Sequence, residues 1–133
     1  MALYKQIILI EDNPIDVFIN TKVIEQAGWG EKIFSFPTAR PALDYLNDSS
    51  LNNLELPELI ILDIRMPDMD GFEFLEHFMK FSDEIKSTVK IIMLSSSIDP
   101  EDELQAKSFS NVIDFICKPL TRDKLIAIEN KMQ

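Results

Sequence analysis

Five side chains able to do chemistry sit directly behind short apolar runs. Glu11 and Asp12 follow Ile7 to Ile10, Asp63 follows Leu59 to Leu62, and Ser95 follows Ile91 to Leu94. Lys118 follows Val112 to Cys117 and precedes Pro119. If the first and third runs lie side by side, three carboxylates converge, and like charges at that range repel. A hard divalent cation relieves the repulsion, and magnesium suits a site with few carboxylates and several waters. Lys118 adds a fixed ammonium and Ser95 a hydroxyl donor. This set suits chemistry on a phosphoryl group. One carboxylate can attack phosphorus and become an acyl phosphate, while metal, ammonium and hydroxyl stabilise charge on the transferring oxygens.

The runs themselves read as strands buried on both faces, the mark of a parallel sheet. Lys32 to Phe36 is a fifth, weaker strand. Helical patterns lie between them. Asn13-Pro14 with Asp16 reads as an N-cap, a first-turn proline and an early acid, opening a helix that runs to about Ala27 and stops at Gly28-Trp29-Gly30. Ala39, Ala42, Leu43 and Leu46 form an apolar stripe, and so do Phe72, Leu75 and Met79 after Gly71. Asp99-Pro100 opens a fourth helix, the least amphipathic. Thr121 caps a fifth, with Leu125, Ile128 and Met132 on its apolar side. The polar stretch Asn47 to Pro57 is predicted to be a flexible loop. Strands alternating with helices five times over give an α/β domain with helices on both sheet faces. Ligands of such sheets bind at the carboxyl ends of the strands, where all five side chains fall.

Composition narrows the partners. Lys plus Arg is 13 and Asp plus Glu is 23 among 133 residues, so the formal charge is 13 − 23 = −10. That balance argues against nucleic acid and against an anionic membrane surface. The longest purely apolar runs fall far below the roughly 20 residues that span a bilayer. One cysteine, Cys117, excludes an internal disulfide and a cysteine-based zinc site, and one histidine, His77, excludes sites needing two. Cys117 reads as an inert buried strand thiol and His77 as an exposed helix residue. A single domain over residues 1–133, with no output domain and a cytoplasmic location, is the expectation.

Taken in order, Ile10-Glu11-Asp12-Asn13-Pro14, Leu62-Asp63-Ile64-Arg65-Met66-Pro67-Asp68-Met69-Asp70-Gly71, Ser95 and Lys118-Pro119 resemble the receiver domain of two-component response regulators, over about residues 5 to 131. The resemblance implies a doubly wound, flavodoxin-like five-stranded parallel sheet of strand order 2-1-3-4-5. It implies Asp63 as phosphoacceptor, and magnesium held by Asp12, Asp63 and the backbone carbonyl of Arg65, with Glu11 helping directly or through water. Ser95 and Lys118 would contact the phosphoryl group, across a Lys118–Pro119 bond that is typically cis. Phe115 matches the aromatic position that turns inward when the hydroxyl residue moves. The implied partners are a histidine kinase or histidine phosphotransfer protein as donor, and a protein target, with no enzymatic action beyond the domain's own phosphorylation and dephosphorylation. A phosphorelay intermediate or phosphate sink is the alternative within that class.

Departures from the family pattern bear on the site. Glu11 stands where aspartate is commoner, Ser95 replaces threonine, Ser96 follows where a small apolar residue is usual, and Phe115 lacks a tyrosine hydroxyl. Arg65 and Ser97 occupy the two variable positions that tune dephosphorylation, and the Arg65 side chain can reach over the phosphoryl group. A flavin-binding electron carrier on the same fold needs a hydroxyl- and glycine-rich phosphate loop after the first strand, and Glu11-Asp12 would repel it. An aspartyl-phosphate phosphatase places a second aspartate where this chain has Arg65.

Overall fold

Isoleucine and leucine crowd the three central strands, and β-branched side chains pack well on a pleated surface. The computed structural model describes residues 2–51, 55–97 and 99–132. In chain order the elements are β1 (Tyr4–Ile10), α1 (Pro14–Gln26), β2 (Gly30–Phe36), α2 (Ala39–Leu51), β3 (Leu59–Asp63), α3 (Gly71–Phe78), α4 (Asp83–Thr88), β4 (Lys90–Ser95), α5 (Pro100–Lys107), β5 (Val112–Cys117) and α6 (Arg122–Lys131). The strands form one parallel sheet in the order β2-β1-β3-β4-β5, the doubly wound arrangement expected from the sequence.

The two-residue period of the strands divides the core. Ile8, Ile10, Ile60, Leu62, Ile91 and Met93 face one cluster, completed by Leu43 and Leu46 of α2, Phe74 and Phe78 of α3, Ile85 of α4 and Ala106 of α5. Ile7, Leu9, Leu59, Ile61, Ile92 and Leu94 face the other, completed by Ile24 of α1 and by Leu125 and Ile128 of α6. β3 is buried at every position. Each such isoleucine or leucine contributes about 1.5–3 kcal/mol relative to exposure, so the frame of the site is rigid. Pairing sets the level of the strand ends: Ile10 lies beside Leu62, Asp63 beside Leu94, and Ser95 beside Cys117.

Local chemistry starts the helices. The Asn13 side chain accepts from the Ile15 and Asp16 backbone N–H groups at 2.9 and 3.3 Å. Asp70 and Glu73 form a reciprocal capping box. Asp99 accepts from Glu101 N–H at 2.9 Å, and Thr121 accepts from Lys124 N–H at 3.2 Å. Beyond α1, Gly28 takes a φ of +70°, in the left-handed region where glycine pays no Cβ penalty.

Several expectations change. Among the described residues there are six helices rather than five: Ser82 caps the extra short α4, which seats Ile85 in the core. Positions 47–51 of the predicted loop continue α2, whose Leu46 is seated in the core at the start of that turn. Positions 52–54 of that loop lie outside the described residues. On α3 the large buried side chains are Phe74, Leu75 and Phe78, whereas Phe72 and Met79, the residue that ends the helix, are half-buried. Met132 follows the last turn of α6 and is exposed. No helix among the described residues is long and apolar enough to cross a membrane.

Candidate functional site

The five side chains singled out by spacing converge at the carboxyl edge of the sheet. Glu11 leaves β1 and is buried, Asp63 ends β3 and is buried, and Asp12 is exposed at the mouth. One carboxylate oxygen from each of the three lies within 4.8 Å of the others. Lys118, after β5, reaches back to this group: its Nζ is 2.8 Å from Glu11 Oε1, 3.2 Å from Asp63 Oδ2 and 3.3 Å from Asp16 Oδ2. The Lys118–Pro119 bond is cis. Lys118 N–H donates to the Ser95 carbonyl at 2.7 Å, which ties the ends of β4 and β5 together beside the acids.

One ammonium among four carboxylates leaves the pocket negative. Burial, with the hydrogen bond and charge of Asp63, pushes the Glu11 carboxyl up to about 7 despite the opposing Lys118 hydrogen bond. Burial alone would lower the Lys118 pKa, but its hydrogen bond to Glu11 and the charges of Asp63 and Glu11 outweigh that, and the ammonium is held above its ordinary value.

The β3–α3 loop is folded back on the strand that carries Asp63. Ile64 N–H donates to the Leu94 carbonyl at 3.0 Å, and Gly71 N–H to the Ile64 carbonyl at 2.8 Å. A Cβ at Gly71 would stand 3.0 Å from Ile64 Cα and 3.1 Å from the Asp63 carbonyl oxygen, so the close return requires glycine. Asp68 takes a φ of +69° in the same loop, a conformation aspartate tolerates better than most residues.

Ser95 is buried and Ser96 exposed. The Ser95 hydroxyl donates to the Ser97 carbonyl at 2.8 Å and accepts from Ser97 N–H at 3.2 Å, so it is engaged with its own loop. Phe115 is half-buried against the core cluster and lines a groove with Lys124 and Ile128. Cys117 is half-buried. His77 is half-buried beside Arg40 and Phe81, away from the acids. The Arg65 side chain pairs with Asp102 of α5 at 3.8 Å.

Two partners escaped sequence reasoning. Asp16 read as a favourable charge at the start of α1, and its position in the first turn beside the acidic loop was the available signal. Asp102 carried no signal, since only the tertiary fold sets α5 beside Arg65.

With three acids, an ammonium and a hydroxyl on one strand edge, comparison with known proteins is decisive. Residues 7–129 match the response regulator receiver domain family. The chain belongs to that family. A crystal structure of a two-component response regulator from Cytophaga hutchinsonii superposes on this receiver domain with a TM-score of 0.86, at 31% identity over 96% of each chain. A probable methanogenesis regulatory protein, FilR2, from Methanothrix harundinacea is 29% identical over 90% of this chain and 75% of its own length. Hybrid signal transduction histidine kinase L from Dictyostelium discoideum is 32% identical over 97% of this chain, which spans only 7% of that protein. This receiver domain is therefore a phosphoacceptor switch of two-component signalling, and its strand order is the one its structural neighbours share.

Proposed function

We propose that Asp63 accepts the phosphoryl group, from a histidine kinase or a histidine phosphotransfer protein, and that the domain signals through contacts with a protein target. The observation that carries this reading is a buried Asp63 whose Oδ2 lies 3.2 Å from Lys118 Nζ, in a group of carboxylates within 4.8 Å. An Asp63 oxygen attacks phosphorus, the phosphorus–nitrogen bond to the donor imidazole breaks, and the electron pair stays on the ring nitrogen. Lys118 is placed to neutralise a phosphoryl oxygen, and Ser95 turns its hydroxyl from Ser97 to another.

The donor set fits magnesium. Its ligands are hard oxygens from three carboxylates, two of them buried, and the Glu11 carboxyl is raised by burial and by Asp63 beside it. Glu11, Asp12, Asp63 and the Arg65 backbone carbonyl would hold the ion, which when bound supplies positive charge against the phosphoryl oxygens. The pocket mouth adjoins α1, where Ile15 and Phe18 are 69% and 64% exposed. An apolar patch beside a phosphoryl-transfer site suits a protein donor. The reading includes no turnover of an external substrate, and it puts the domain in the cytoplasm with such donors.

The test is incubation with a small acyl-phosphate donor and magnesium. One phosphoryl group, labile to hydroxylamine, should appear; Asp63→Asn or excess chelator should abolish it. Label on Ser95 or His77, or equal labelling in chelator, would overturn the assignment.

A further inference from the structure

The Arg65 guanidinium follows Asp63 by two residues, yet it faces α5. Its Nη2 lies 3.8 Å from Asp102 Oδ2, a buried oxygen that makes no hydrogen bond among the described residues. The two ends differ in environment: the Arg65 side chain is 69% exposed and that of Asp102 only 17%. A buried carboxylate oxygen keeps a strong demand for a counter-charge. At 3.8 Å the pair is an ion pair without a hydrogen bond, so Arg65 is held loosely. A guanidinium gains more from a dianion that accepts two parallel N–H donors.

We propose that Asp102 competes with the phosphoryl group on Asp63 for Arg65, and so acts as a positioning residue that sets the lifetime of the acyl phosphate. This rests on the phosphoacceptor reading. Hydrolysis adds water: its oxygen attacks phosphorus, the bond from phosphorus to the Asp63 oxygen breaks, and carboxylate and dihydrogen phosphate are released with both water protons on phosphate. Arg65 lying over the phosphoryl oxygens obstructs the attacking water, whereas Arg65 drawn to Asp102 leaves the path open. The same exchange links the site to α5. Ser95 turning toward the phosphoryl group breaks its two hydrogen bonds to Ser97, in the loop that leads into α5. Displacement of that loop and release of Arg65 from Asp102 then act on one helix.

The experiment is single-turnover loss of label from purified phosphorylated protein in wild type, Asp102→Asn, Asp102→Glu, Arg65→Ala and the Asp102→Asn/Arg65→Ala double variant. Asp102→Asn keeps the shape, removes the charge and should slow dephosphorylation about 2- to 5-fold, the scale of one modest charge interaction. Asp102→Glu should restore a rate near wild type. In the Arg65→Ala background the Asn substitution should change nothing, which a merely structural role for Asp102 would not produce. An unchanged or faster rate in Asp102→Asn, or equal slowing with Arg65 removed, overturns the competition while leaving Asp63 as acceptor. Failure of wild type to form an acyl phosphate on Asp63 overturns the phosphoacceptor reading and this proposal with it.

Discussion

Glu11 is the residue on which stability and function pull in opposite directions. Its carboxyl is raised from 4.5 to about 7 in the folded protein, by burial and by Asp63. The folded state therefore binds the proton more tightly than the unfolded chain. That contribution is complete below about 4.5, declines as pH rises, and is lost above about 7. In chelator, thermal unfolding should show stability falling between pH 5 and 7.5 by up to about 3 kcal/mol from this group. Glu11→Gln should flatten the slope, and an unchanged slope would remove Glu11 as its source. Gly71 works by space instead. Gly71→Ala presses a methyl group against the backbone of Ile64 and Asp63 at 3.0 and 3.1 Å, and neither is the free end of a side chain. A loss of about 1–3 kcal/mol in urea unfolding is expected, with slower phosphorylation because Asp63 moves with its loop.

At the scale of elements, α1 is apolar on two sides. Ile24 is buried in the α1–α6 cluster, whereas Ile15, Phe18 and Ile19 face solvent near the pocket mouth. If that outer side receives the phosphoryl donor, Phe18→Asp should lower the rate of transfer from a protein donor about 10-fold or more, the cost of a truncated apolar anchor. It should leave labelling by a small acyl phosphate unchanged, and equal rates from the protein donor would count against α1 as the docking element. α5 is built differently. Its one buried residue is Ala106, and its start rests on the Asp99 cap and Pro100. A helix with so little core is among the easier elements to displace. Asp99→Ala should cost about 0.5–2 kcal/mol in stability, read as a lower urea midpoint.

At the scale of the whole molecule, the sheet fixes five chain segments at one edge, and the helices respond to what happens there. Adding magnesium and beryllium fluoride, an unreactive phosphoryl mimic, should change amide hydrogen exchange most in residues 96–107 and around Phe115. Changes confined to the loops after β1 and β3 would mean that another face carries the signal. The strands were legible because isoleucine and leucine runs bounded by polar residues admit few other structures. The acids, Ser95 and Lys118 were legible because a parallel sheet delivers every strand end to one side. Helix starts at Asn13, Asp99 and Thr121 were written in the cap residues, since capping is a contact among neighbours in sequence. The extra α4 was hidden because one turn around Ile85 is too short to show a period. Positions 47–51 read as loop because Asn and Ser are poor helix formers, and the helix anchored in the core by Leu43 and Leu46 carries through them. Composition and spacing by themselves determined the strands, the class of fold and the residues able to carry phosphoryl chemistry. The tertiary structure decided that Lys118 is shared among Glu11, Asp16 and Asp63, and that Arg65 turns to Asp102. Those pairings join residues far apart in the chain, and their distances follow from how helices settle on the sheet, which no local pattern encodes.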